Sequence, residues 1–131
     1  MTKIELQEFL KTNYFNEINL SNRNCNVRYA KKNKNKNVFW INIAMDKRVE
    51  KTMFFILNYI EKNKAIYLKI PPFTINKENS FRIKNSNGRL SYDIELSSNE
   101  EDFLIDVKSG GTSFNFKPFV IEELTYEKFD N

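Results

Sequence analysis

No histidine occurs anywhere in the 131 residues. That removes the commonest general base, the usual activator of a nucleophile and the commonest metal ligand together. Any chemistry must come from carboxylates, lysine, tyrosine or hydroxyls. Cys25 stands alone, so neither an internal disulfide nor a multi-cysteine zinc site can be built, and it reads as a small, half-buried apolar residue. Glycine is limited to Gly88, Gly110 and Gly111, so neither a dinucleotide fingerprint nor a phosphate-cradling loop can be written. A nucleotide cofactor is therefore not expected. No apolar run approaches the ~20 residues that span a bilayer, and the N-terminus is a charged amphipathic segment without the apolar stretch of a signal peptide. The expectation is a soluble, cytoplasmic protein with no membrane partner.

What is present is bulk and charge. Twelve Phe, six Tyr and Trp40 supply a core, and the length suits one domain over residues 1–131. The charge is unevenly placed. From Arg23 to Arg89 there are sixteen Lys or Arg against Asp46, Glu50, Glu61 and Glu78, whereas beyond Arg89 only Lys108, Lys117 and Lys128 stand against ten acids. The formal total of +4 hides a strongly basic middle and an acidic tail. A basic majority of this kind is the electrostatic footprint of a nucleic-acid binder; solvated faces filled with Lys and Asn give the same composition.

Local patterns predict an α+β fold. Thr2-Lys3-Ile4-Glu5 has capping-box spacing, and Leu6, Phe9 and Leu10 follow at helical intervals, so a helix is expected over about Lys3 to Tyr14. Residues 15–26 read as an Asn-rich loop. Val27–Lys31 and Val38–Ala44 read as the strands of a hairpin whose tip carries Lys32, Lys34 and Lys36, a natural phosphate finger or a solubilising edge. Asp46 is expected to cap a helix with Val49, Met53, Ile56, Leu57 and Ile60 on one face. Lys47, Arg48 and Lys51 would lie in its first turns, against the helix dipole, which hints at an external anion. A strand over Ala65–Ile70 stops at Pro71-Pro72.

Turn residues fix a register over 80–120. Asn87-Gly88 suits a two-residue hairpin that sets Ile83 opposite Tyr92. A loop over 97–102 would set Leu96 against Phe103 and Tyr92 against Val107, and Gly110-Gly111 would set Val107 against Phe114. The expected product is a curved antiparallel sheet or partial barrel containing a four-stranded meander. With the hairpin, two main helices and a short closing helix over the acidic tail from Val120 to Phe129, this completes the predicted fold. One outward row of that meander reads Arg82, Asp93, Asp106, Asn115. Like charges placed opposite one another call for compensation, which a divalent cation binding carboxylate oxygens supplies. Arg82 and Lys108 beside them supply it equally.

Tyr92-Asp93-Ile94 followed by Leu104-Ile105-Asp106-Val107-Lys108 resembles the PD-(D/E)xK nuclease superfamily. The resemblance implies Asp93 and Asp106 as magnesium ligands, Lys108 as the catalytic lysine and Glu50 or Glu61 as an additional acid. The order of hairpin, helix, strand with Ile70-Pro71-Pro72, and meander ending in Phe116-Lys117-Pro118-Phe119 resembles the small β-rich DNA-recognition domains fused to restriction endonucleases. That layout implies a recognition module in a restriction or defence system, accompanied by a catalytic domain or protein partner and binding duplex DNA through basic loops. The residues expected to contact phosphate are Lys32, Lys34, Lys36, Lys47, Arg48 and Lys51. Phe39 and Trp40 point to opposite faces of one strand, so one of them is available as a base-stacking platform, and Trp40 joins the set. The rival class is a protein inhibitor or immunity-type protein, acting without nucleic acid.

Overall fold

A computed structural model describes residues 1–14, 26–76, 78–79 and 81–127. Among these residues there are one α-helix and seven strands in two sheets: α1 (Lys3–Tyr14), β1 (Val27–Lys31), β2 (Val38–Ala44), β3 (Met53–Tyr59), β4 (Lys64–Ile70), β5 (Arg82–Ser86), β6 (Arg89–Ser97) and β7 (Val120–Thr125). The α+β class stands. In place of one curved sheet or partial barrel there is a mixed four-stranded sheet, ordered β1-β3-β4-β7, and an antiparallel three-stranded sheet, ordered β2-β6-β5. The reading of 15–26 as a loop, and of Cys25 as half-buried, lies almost wholly outside the described residues.

The helix begins where the capping box places it. Thr2 Oγ1 accepts from the Glu5 N–H at 3.1 Å, and Glu5 Oε1 accepts from the Thr2 N–H at 3.0 Å. These backbone and side-chain bonds hold the Glu5 carboxyl below its usual range. Leu6 and Leu10 are buried against Phe54, Ile56, Ala65 and Tyr67 of the four-stranded sheet. The opposite face of that sheet carries Met53, Phe55, Leu57, Ile66 and Leu68 into a second core shared with Phe39, Ile41, Ile43, Tyr92, Ile94 and Leu96. The layers are thus helix, sheet, sheet.

Several expectations are corrected by this arrangement. The helix expected after Asp46 is a single 3-10 turn, Lys47–Glu50, followed by β3. Asp46 does cap it, accepting from the Arg48 N–H at 2.9 Å. Because β3 is covered by α1 on one side and the three-stranded sheet on the other, it reads as a continuous apolar run, and such a run has no strand periodicity to recognise. The expected β1–β2 hairpin does not form. β1 pairs in parallel with β3, from Val27↔Phe54 to Lys31↔Asn58, while β2 pairs with β6, and the two meet at an isolated Lys32↔Phe39 bridge, where the Asn33 N–H donates to the Val38 carbonyl at 2.8 Å. The tail from Val120 is strand β7 along β4, with no closing helix over its described part.

The Asn87-Gly88 hairpin has the expected register, with Ile83↔Tyr92 and Arg82↔Asp93. Both turn residues have positive φ, 54° and 85°, as that turn requires. The rest of the meander is replaced. β2 occupies one edge of β6 over its length and β5 the first part of the other, so only the end of β6 is left to pair. There the chain makes isolated bridges, Leu96↔Asp106 and Ile105↔Asn115. Asp106, not Phe103, lies opposite Leu96, and Val107 is exposed. A tight turn at Leu104, with φ 64°, produces the shift.

Candidate nucleic-acid interface

The outward face of the three-stranded sheet brings Trp40 beside residues far along the chain. On β6, Glu95 lies opposite Trp40, Asp93 lies between Asn42 and Arg82, and Ser91 lies between Ala44 and Lys84. Trp40 is 47% exposed, whereas Phe39 is fully buried, so the two divide as opposite faces demand. The Trp40 Nε1–H donates to Asp93 Oδ1 diagonally across the sheet. Asp93 is itself buried and is neutralised by Lys108, whose Nζ is 3.3 Å from Asp93 Oδ2 and 3.8 Å from Glu95 Oε2. The indole plane is therefore held by a hydrogen bond to a charge that other residues anchor. Lys84 Nζ lies 5.8 Å from the ring centroid, a contact worth about 0.5–1 kcal/mol at an exposed site.

Below Trp40 an open groove of about 310 Å³ runs towards the β5–β6 turn, lined by Asn42, Lys84, Ser86, Arg89, Leu90 and Ser91 among others. Asn42 Nδ2 donates to Ser91 Oγ at 3.0 Å, so polar groups line the groove floor. At its far end the Met45 N–H donates to the Leu90 carbonyl, which sets the Lys47–Glu50 turn next to the hairpin. The Phe73 N–H donates to the Val49 carbonyl, placing Phe73, 62% exposed, at this same end.

The expected phosphate contacts do not converge. Lys32, Lys34 and Lys36 lie at the start of β2 and Lys47, Arg48 and Lys51 beyond its end, separated by a seven-residue strand, or about 23 Å at a strand's rise. That is more than twice the screening length of ~8–10 Å in physiological salt, so the groups do not act as one patch. The first group is also largely spent. Lys32 pairs with Glu61 at 3.0 Å and Lys36 with Glu95 at 3.4 Å. In the second, Arg48 grips Asp46 at 2.7 Å, which lowers the Asp46 pKa and raises that of Arg48. Lys34, Lys47, Lys51 and Arg89 have no side-chain partner among the described residues.

Lys84 and Arg89 are groove residues that the sequence did not single out for phosphate contact. The Asn87-Gly88 register already put Lys84 on an outward row, but nothing local indicated that β2 lies along β6 and delivers Trp40 to that row.

Asp93, Asp106 and Lys108 are brought to the same end of β6, where each of the two acids is engaged by protein groups. Asp106 Oδ1 accepts from the backbone N–H groups of Glu95 and Lys108, each at 3.1 Å, and Oδ2 is buried without a partner. Burial raises its pKa, the two N–H groups oppose this, and the Glu95 and Asp93 carboxylates raise it further. Asp93 is taken up by Trp40 and Lys108. Glu50 is on the 3-10 turn and Glu61 beside Lys32, both away from this cluster. No group of three or more potential metal ligands occurs among the described residues. No helix among them is long and apolar enough to cross a membrane.

No family model, curated protein or solved structure matches the chain.

Proposed function

We propose that this chain is a DNA-binding module that meets its ligand with the outward face of the three-stranded sheet and the adjoining hairpin end of the sandwich. One observation carries the reading. Arg89, which lines the groove, and Lys47 and Lys51, which follow β2, have no side-chain partner among the described residues and Lys84 touches only an aromatic ring, while Lys36 and Lys108 on this face are paired with carboxylates and Arg82 donates to the Ser109 carbonyl. With Lys84 and Arg89 lining the groove beside exposed Trp40 and Leu90, and the free cations of the hairpin end beyond it, this is a surface suited to a polyanion that also has apolar faces.

The reading moves the phosphate-binding residues from the Lys32–Lys36 connection to the hairpin end. It involves no catalysis. The magnesium-dependent nuclease has no comparable support, because Asp106 faces backbone N–H groups and Asp93 is engaged by Trp40 and Lys108.

Salt dependence tests it. Log affinity for DNA should fall linearly with log salt, with a slope of about 0.9 for each phosphate neutralised on duplex and about 0.7 on a single strand. Replacing Lys47, Lys51 and Arg89 together by Ser should lower the slope by about that amount for each phosphate no longer neutralised. Replacing Lys32 and Lys36 should barely change it, because Glu61 and Glu95 already hold those ammonium groups. Failure to bind any oligonucleotide at low salt would sink the proposal and turn attention to a protein partner.

A further inference from the structure

We infer that the nucleic acid this face takes is single-stranded, with one base stacked on Trp40 and the flanking phosphates held by Lys84 and Arg89. The inference rests on the nucleic-acid reading above and specifies which form of the ligand fits. A base offers its flat face to a side chain only when it is out of the duplex stack. The feature presented here is a groove the size of a small-ligand pocket, about 310 Å³, with an aromatic ring at its rim. Reading the duplex major groove takes a projecting helix or ribbon that enters it, and a recess of this size admits a nucleotide instead.

The indole is also prepared for stacking. Its N–H is committed to Asp93, Asp93 is buried, and Lys108 fixes the carboxylate from the other side. The ring therefore keeps its orientation while nearly half of the residue stays in solvent. Lys84 rests over the ring, and an arriving base displaces it towards the phosphate it then neutralises. Asn42 and Ser91, already hydrogen-bonded to each other, lie further along the groove where the edge of the base or the sugar arrives.

Trp40 is the sole tryptophan, so intrinsic fluorescence reports on this ring alone. The experiment titrates the protein with an oligo-dT strand, an oligo-U strand, a duplex of equal length and heparin, following both tryptophan emission and anisotropy of the labelled ligand. Both single strands should quench the emission and bind more tightly than the duplex, and heparin should bind without quenching. Trp40→Ala should weaken single-strand binding by about 5- to 100-fold and leave duplex and heparin affinity nearly unchanged. Trp40→Phe, which keeps a stacking face, should recover part of the loss. Equal binding of strand and duplex without quenching, or a Trp40→Ala variant that melts normally and keeps full single-strand affinity, would overturn the inference while leaving DNA binding intact. Absence of binding to every oligonucleotide would overturn the nucleic-acid reading itself.

Discussion

Asp106 is a buried carboxyl held against its own interest, and Asp106→Asn should make the protein more stable at neutral pH. Its side chain is 1% exposed, Oδ1 accepts two backbone N–H bonds, and Oδ2 has no partner. Asn keeps the shape and the Oδ1 acceptor while removing the charge that burial and the neighbouring Glu95 and Asp93 disfavour. Leaving a buried polar group unsatisfied costs about 1–3 kcal/mol. Because the new amide also lacks a partner at that position, only the excess cost of a charged over a neutral unsatisfied group is recovered, about 1 kcal/mol, or roughly 3–5 °C in melting temperature for a domain of this size. The folded-state pKa of Asp106 lies above its ordinary value of 3.8. Its contribution to stability is therefore complete below pH 3.8 and lost as pH rises through the folded value. Thermal melts of both proteins from acid to neutral pH measure this directly. The two curves should converge at the acid end and separate upward, with the Asn variant higher. A variant that melts lower at neutral pH would refute the reasoning and show that the bonds from the Glu95 and Lys108 N–H groups to the ionised carboxylate outweigh the cost of its burial.

Other substitutions probe the same structure. Gly111→Ala should cost about 1–3 kcal/mol in denaturant melts, because a Cβ there would lie 2.9 Å from both Asp106 Oδ2 and the Lys108 carbonyl. Gly88→Ala meets nothing within 4 Å but sits at φ +85°, so its cost should be the backbone strain alone, about 1 kcal/mol. Phe54→Ala should cost about 3–5 kcal/mol and lower the helical circular dichroism before the sheets melt, because Phe54 joins α1 to β3.

The legible parts of the chain were those governed by neighbours in sequence. The Thr2–Glu5 box set the start of α1, Asn87-Gly88 set the hairpin register, and strand alternation separated Phe39 from Trp40. What misled was burial decided from a distance. In Met53–Tyr59 both faces are covered, which erased the alternation and left a pattern a helix also satisfies. In Val120–Thr125 the apolar Val120, Ile121 and Leu124 imitate a helical stripe, yet Ile121 and Leu124 pack with the helix core while Val120 packs on the core between the sheets. The site was half visible for the same reason. Trp40 was found from its strand, but the pairing of β2 with β6 that joins it to Lys84 and Asp93 is a non-local fact.

The order in which the chain visits its sheets has a practical side. β1, β3, β4 and β7 belong to one sheet and β2, β5 and β6 to the other, so neither sheet is a continuous stretch of sequence. A cut between β4 and β5 would give a front piece holding α1 and four strands and a back piece holding three, and each piece would own part of both sheets. Rejoining them would restore the β2–β6 and β4–β7 seams together. That geometry suits a complementing pair of fragments, in which each half lacks what only the other supplies.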